Sequence, residues 1–108
     1  MPTLPFPVNE VFEATNTGDL PRFLAAFAAD GVVDDSGRPS RGRDAIARWS
    51  RAESIGVQQT FTVTGTRNDG EHTIVTATVG SGGYNGPATF TFILAPDGET
   101  IQSMTITG

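Results

Sequence analysis

The hydrophobic period of this sequence changes once, near Val57, and that single change limits the folds open to it. Before Val57 apolar residues recur at helical spacing, and after it they alternate with polar ones as in half-buried strands. Helices gathered in the first half and antiparallel strands in the second make the class α+β. A chain of 108 residues supports one domain, residues 1–108, with one core and room for one modest cavity.

In the helical half, Val8, Val11, Phe12 and Thr15 form one stripe, with Pro7 tolerated in the first turn. Asn16-Thr17-Gly18 ends that helix with a glycine suited to a left-handed cap. Asp19 is an N-cap for a second helix, whose Leu20, Phe23, Leu24 and Phe27 share a face. The two helices should pack as a hairpin. Asp30-Gly31 reads as a break, Val32 to Asp35 as a short strand, and Ser36 to Ser40 as a loop. A third helix runs from Arg43 to about Arg51 with Ile46 and Trp49 inward, and Gly56 closes this half.

Val57, Gln59, Phe61 and Val63 then alternate with polar partners, and Asn68-Asp69-Gly70 signals a hairpin. Thr73 to Val79 is the returning strand. Gly80 to Pro87 forms a longer turn, and Phe90, Phe92 and Leu94 line the next strand. Pro96-Asp97-Gly98 turns the chain into a last strand from Ile101 to Thr107.

Several functions are excluded by chemistry. The net charge is −5 and all seven basic residues are arginine, so there is neither a basic stripe for nucleic acid nor a Schiff-base lysine. There is no cysteine, and one histidine cannot build a histidine-rich metal site. No apolar run is long enough to span a membrane. MPTLPFPVNE lacks the basic start of a signal peptide, so the expected setting is cytoplasmic. Gly80-Ser81-Gly82-Gly83 is not a nucleophile elbow, because Val79 stands where the first glycine belongs; without a lysine it is not a phosphate loop either.

Asp34 and Asp35 are the leading chemical candidates. Neighbours in a strand point to opposite faces, so the two cannot form a carboxylate dyad. One carboxylate can enter a pocket while the other meets solvent. The competing reading makes both of them turn-capping groups or partners of Arg38, Arg41 or Arg43. Trp49 belongs to the core, where its indole N–H needs an acceptor. Tyr84, the only tyrosine, is either a surface aromatic or a hydroxyl donor at a pocket rim, and His72 faces solvent beside a turn. Phe12, Phe27, Phe61, Phe90, Phe92 and Met104 are core candidates that, with Trp49 and Tyr84, supply the lining of any cavity.

Taken together, the first helix, Asn16-Thr17-Gly18-Asp19-Leu20, the second helix ending in Phe27-Ala28-Ala29-Asp30, Val33-x-Asp35 and Arg41-Gly42 ahead of the third helix form a familiar pattern. It resembles the nuclear transport factor two-like superfamily, and within it the ketosteroid isomerase and SnoaL-like polyketide cyclase branch, from about Val8 to Ile106. The resemblance implies a cone: a strongly bent antiparallel sheet with three N-terminal helices packed across it around an apolar pocket. It also implies homodimers through the outer sheet face, and it matches Asp35 to the general-base aspartate of ketosteroid isomerases. The matching oxyanion donors are absent, Val11 replacing a tyrosine and Thr91 (or Thr89) an aspartate. Two functions follow as alternatives. One is a cofactor-free isomerase or cyclase, in which Asp35 removes a proton next to the carbonyl of a small apolar or polycyclic compound. The other is a non-catalytic small-molecule-binding or dimerising association domain, in which an exposed, arginine-paired Asp35 merely fixes a loop.

Overall fold

The computed structural model describes residues 4–80 and 85–107. Three helices lie in the first half of the chain: α1 (Phe6–Thr17), α2 (Leu20–Ala25) and α3 (Arg43–Glu53). Six strands, β1 (Phe27–Asp35), β2 (Arg38–Arg41), β3 (Thr60–Asp69), β4 (His72–Gly80), β5 (Gly86–Leu94) and β6 (Ile101–Thr107), form one curled sheet in the order β2-β1-β6-β5-β4-β3. This is the α+β cone that the sequence pattern implied. Among the described residues no helix is long and apolar enough to cross a membrane.

The Asn16–Leu20 segment shows why those residues stand together. Gly18 caps α1 at φ 72°, a left-handed conformation that costs glycine little. Asp19 then caps α2, its side chain accepting from the backbone N–H of Arg22. Asn16 reaches across to the sheet, its Oδ1 accepting from the Phe61 N–H at 2.6 Å and its Nδ2 donating to the Phe61 carbonyl at 3.0 Å. β3 is an edge strand, and the Asn16 amide satisfies its free side as a neighbouring strand would.

Three local expectations are corrected. The second helix stops at Ala25, and Phe27 to Asp30 belongs to β1 instead of a helix end. Ala28, Ala29, Asp30 and Gly31 are poor strand formers, but β1 carries a register shift between Phe27 and Val32 that absorbs them. Gly31 suits this close approach: a Cβ would lie 3.1 Å from two backbone carbonyls, those of Ala28 and Ile101, tighter than ordinary van der Waals contact. Ser36 to Ser40 is likewise not all loop. Ser36 and Gly37, at φ 54° and 92°, make a two-residue hairpin turn, and β2 follows at the sheet edge, where Pro39 forfeits no ladder bond. Finally, Val57 sits in a 3₁₀ turn (Ile55–Val57), so the strand begins at Thr60.

The four long strands are antiparallel as expected, whereas β1 pairs with β6 in parallel, making the sheet mixed. Ala88, Phe90 and Phe92 face inward, leaving Thr89 and Thr91 on the outer side. The helix-one stripe of Val8, Val11, Phe12 and Thr15 is buried against that inner face.

Two outcomes follow. Asn16→Ala should cost about 1–3 kcal/mol, the sum of two modest hydrogen bonds, seen as a lower urea midpoint with an unchanged m-value. In the β5–β6 turn, the N–H of Glu99 and then the N–H and hydroxyl of Thr100 hold the Asp97 carboxyl below the usual carboxylate range. A lowered folded-state pKa adds stability that is complete above the unfolded value of about 3.9 and fades as pH falls through the folded one. Asp97→Asn should therefore lose less stability than the wild type on acidification from about pH 5 to about pH 2. Equal losses would contradict the assignment.

Candidate functional site

The Ser36-Gly37 turn fixes the register of the β1–β2 hairpin so that Arg38 lies directly opposite Asp35. The alternation of β1 puts Asp35 on the side of the fully buried Val33, and Asp34 on the other side. Asp34 caps the turn, accepting from the Gly37 N–H at 2.7 Å. Thus Asp34 takes the turn-capping role.

Asp35 lies on the wall of a cavity of about 330 Å³, close to the small end of the roughly 300–1,000 Å³ range of ligand pockets. Its Oδ2 accepts from the Trp49 indole N–H at 3.0 Å and from Arg38 at 3.2 Å. Oδ1 has no hydrogen-bond partner among the described residues. The Asp35 side chain is 21% exposed and that of Arg38 70%, so the aspartate sits inside the mouth and the arginine outside it. Arg38 also faces Glu53, at 3.7 Å, which links β2 to the end of α3 across the opening.

The aromatic core supports this arrangement. Trp49 stacks on Phe23 with centroids 6.3 Å apart, which sets the direction of its indole N–H. Phe61 and Phe90 meet edge to face at 5.1 Å and form the apolar wall opposite, beside Val79 and Ala88. Behind them Phe12 packs edge-on against both, at 5.4 and 5.2 Å.

The structure brings together only part of the expected lining. Asp35, Trp49, Phe61 and Phe90 border the cavity. Phe12, Phe27, Phe92 and Met104 do not; they are buried in the core. Phe12 is screened by the rings of Phe61 and Phe90, and Phe27 packs behind Phe23 at 5.3 Å. Phe92 and Met104 are cross-strand partners under α1, where Phe12 meets Phe92 at 5.8 Å. Tyr84 lies outside the described residues. Val11 is fully buried, and Thr89 and Thr91 face away from the core, so none of these replaces the absent oxyanion donors.

Gln59, which carries no site signature in the sequence, also borders the cavity. Its only mark there is to be the one polar residue in the inward register of Val57, Gln59, Phe61 and Val63. Val63 itself is 40% exposed, next to a register shift in the β3–β4 pairing.

The profile of the SnoaL-like domain family matches residues 8–105. The chain belongs to that family. No curated protein matches the sequence of this SnoaL-like domain significantly. Among solved structures it is similar to a provisionally named polyketide cyclase from Sinorhizobium meliloti, with 28% identity, 96% of this chain and 95% of that one covered, and a TM-score of 0.86. It shares its fold with a Mycobacterium tuberculosis protein solved with estradiol-17β-hemisuccinate, at 15% identity, 95% and 91% coverage and a TM-score of 0.79. The same holds for an epoxide hydrolase/cyclase-like enzyme of pyran ring formation in the polyether salinomycin, at 21% identity, 94% and 86% coverage and a TM-score of 0.79.

The two donors to Asp35 should differ in weight. A neutral donor to a sheltered carboxylate contributes about 1.5–3 kcal/mol, whereas an exposed ion pair contributes at most about 1. Trp49→Phe, which keeps most of the ring, should therefore lower the urea-derived stability more than Arg38→Gln does. The reverse order would contradict this geometry.

Proposed function

We propose that this SnoaL-like domain binds a small, largely apolar or polycyclic carbonyl compound and that Asp35 is its general base. The observation that carries the reading is the state of the Asp35 carboxylate. Oδ2 is tied down by Trp49 and Arg38, and Oδ1 has no hydrogen-bond partner among the described residues, on a carboxylate bordering a cavity with aromatic lining. A base needs this combination of fixed orientation and one unspent acceptor.

In the reaction, the C–H bond next to the carbonyl breaks, its proton goes to Oδ1, and its electron pair passes to the carbonyl oxygen as an enolate. Where a neighbouring C=C bond is conjugated with the enolate, returning the proton from Oδ1 to the far carbon of that bond moves the double bond and completes an isomerisation. Attack of the enolate carbon on a second carbonyl within the same molecule forms the ring bond, and the alkoxide left on that carbonyl's oxygen takes the proton back from Oδ1, which completes a ring closure. Neither outcome consumes a cofactor. A cavity of about 330 Å³ suits a fused bicyclic or tricyclic compound. The polyketide and polyether chemistry named for two similar structures, and the steroid derivative bound by a third, support ligands of this class.

The Arg38 pair favours the second reading, a binding pocket without chemistry, because it matches a loop-fixing role for Asp35. Against that reading, Asp35 is four-fifths covered and its partner is the exposed member. Proton abstraction itself separates the two. With 2-tetralone in D₂O, the protein should accelerate exchange of the α-protons, followed by proton NMR. Asp35→Asn should reduce that acceleration by about 10²–10⁴-fold, the usual contribution of a positioned base. Tetralone binding without any accelerated exchange would leave the binding-domain reading standing alone.

A further inference from the structure

We infer that the side-chain amide of Gln59 is the hydrogen-bond donor that the cavity offers to the ligand's carbonyl oxygen. The inference rests on the reading of the cavity as a carbonyl-compound site and assigns the residue that would recognise and polarise that group.

The local chain holds Gln59 in place from two directions. Gly56 folds the segment after α3 back onto the helix end so closely that any Cβ there would collide with the Arg51 carbonyl. The next turn closes with Gln58 in the left-handed region at φ 57°. This return sets Gln59 over Ser54. The Gln59 backbone N–H donates to the Ser54 carbonyl at 3.1 Å, and the Ser54 hydroxyl donates to the Gln59 Oε1 at 3.0 Å. Ser54 is only 1% exposed, so its hydroxyl has no bulk solvent to turn to. With Oε1 engaged, the amide Nε2 is left with no partner among the described residues, on a side chain that borders the cavity.

The other polar groups of the cavity are unsuited to that task. Asp35 and Glu53 are acceptors when ionised. The Trp49 N–H is committed to Asp35, and Arg38 is shared between the two carboxylates. Ser36 lies in the turn adjoining Asp35 and so on the base's own side. Gln59, by contrast, immediately precedes β3, at the opposite edge of the curled sheet from the β1–β2 hairpin. A carbonyl compound between them can direct its α-carbon to Asp35 and its oxygen to Gln59. Donors aimed at the oxygen that gains charge are what accelerate enolate formation.

The test uses 2-tetralone carrying ¹³C at the carbonyl carbon, bound to protein with the Asp35→Asn substitution so that no proton transfer intervenes. A donated hydrogen bond moves the bound carbonyl resonance downfield of the free ketone. Gln59→Met, close in size but without a donor, should return it toward the free position, and Ser54→Ala should shift it part of the way. On the Asp35 background, Gln59→Met should also slow α-proton exchange by about 10²–10³-fold, the effect of losing one such donor. Circular dichroism and a retained urea transition verify that each variant is folded. A downfield shift that survives Gln59→Met overturns the Gln59 assignment while leaving the base untouched. A shift abolished by Gln59→Met, in a protein that never accelerates exchange, supports Gln59 and overturns the base. Absence of a bound-state shift in the Asp35→Asn protein overturns the donor, whatever the exchange rate.

Discussion

The parallel seam between β1 and β6 is the constraint on which the rest of the molecule depends. It ties the first strand to the last, across nearly the whole chain, and sets Asp35 beside Ile106. Without it the β1–β2 hairpin would have no fixed relation to β5, and the carboxylate would have none to the aromatic wall. The register shift in β1 follows from the same seam. Phe27 is anchored opposite Ile101 and Val32 opposite Ser103, so the surplus residues between them must bulge. Gly31 then accepts the Gly42 N–H at the start of α3, and Arg43 donates to the Phe27 carbonyl at 2.7 Å. The helix that carries Trp49 is thereby positioned from the strand that carries Asp35.

From that seam the site assembles through short, directional contacts. Stacking on Phe23 orients Trp49, and Trp49 in turn orients Asp35. Asn16 clamps β3 at Phe61, which belongs to the wall across the cavity. The core rings of Phe12 and Phe27 take no direct part in the lining, but Phe12 backs Phe61 and Phe90, Phe27 backs Phe23, and Phe92 packs on Phe12 in turn. Cavity shape is a property of the second layer of side chains as much as of the first.

How much of this was legible in the sequence depended on the range of the interactions involved. α1, the caps at Gly18 and Asp19, and the four antiparallel strands were readable because periodicity and turn chemistry act over a few residues. The extent of β1 is not readable locally because its pairing with β6 is non-local: Phe27 and Val32 are held opposite Ile101 and Ser103, and Ala28 to Gly31, whose own propensities oppose a strand, bulge between them. For the site, opposite-face alternation correctly separated Asp34 from Asp35, and the need for an acceptor at Trp49 was correctly anticipated. Which aromatic rings would border the cavity was not legible, since that depends on which ring shields which in three dimensions. Gln59 is not legible as a site residue in the sequence, because its position depends on Ser54, which only the fold brings beneath it.

Because the chain has one tryptophan, a single indole cross-peak in a ¹⁵N–¹H correlation spectrum reports directly on the mouth of the cavity. Titrating the wild-type protein with 2-tetralone should move that peak saturably, together with the side-chain NH₂ peaks of Gln59 and the backbone amides of Phe61 and Phe90. The outward-facing Thr89 and Thr91 should respond less than Phe90 between them. That pattern would locate the ligand between Asp35 and the aromatic wall. Saturable shifts that leave the indole and Gln59 unmoved would place binding elsewhere and contradict the account.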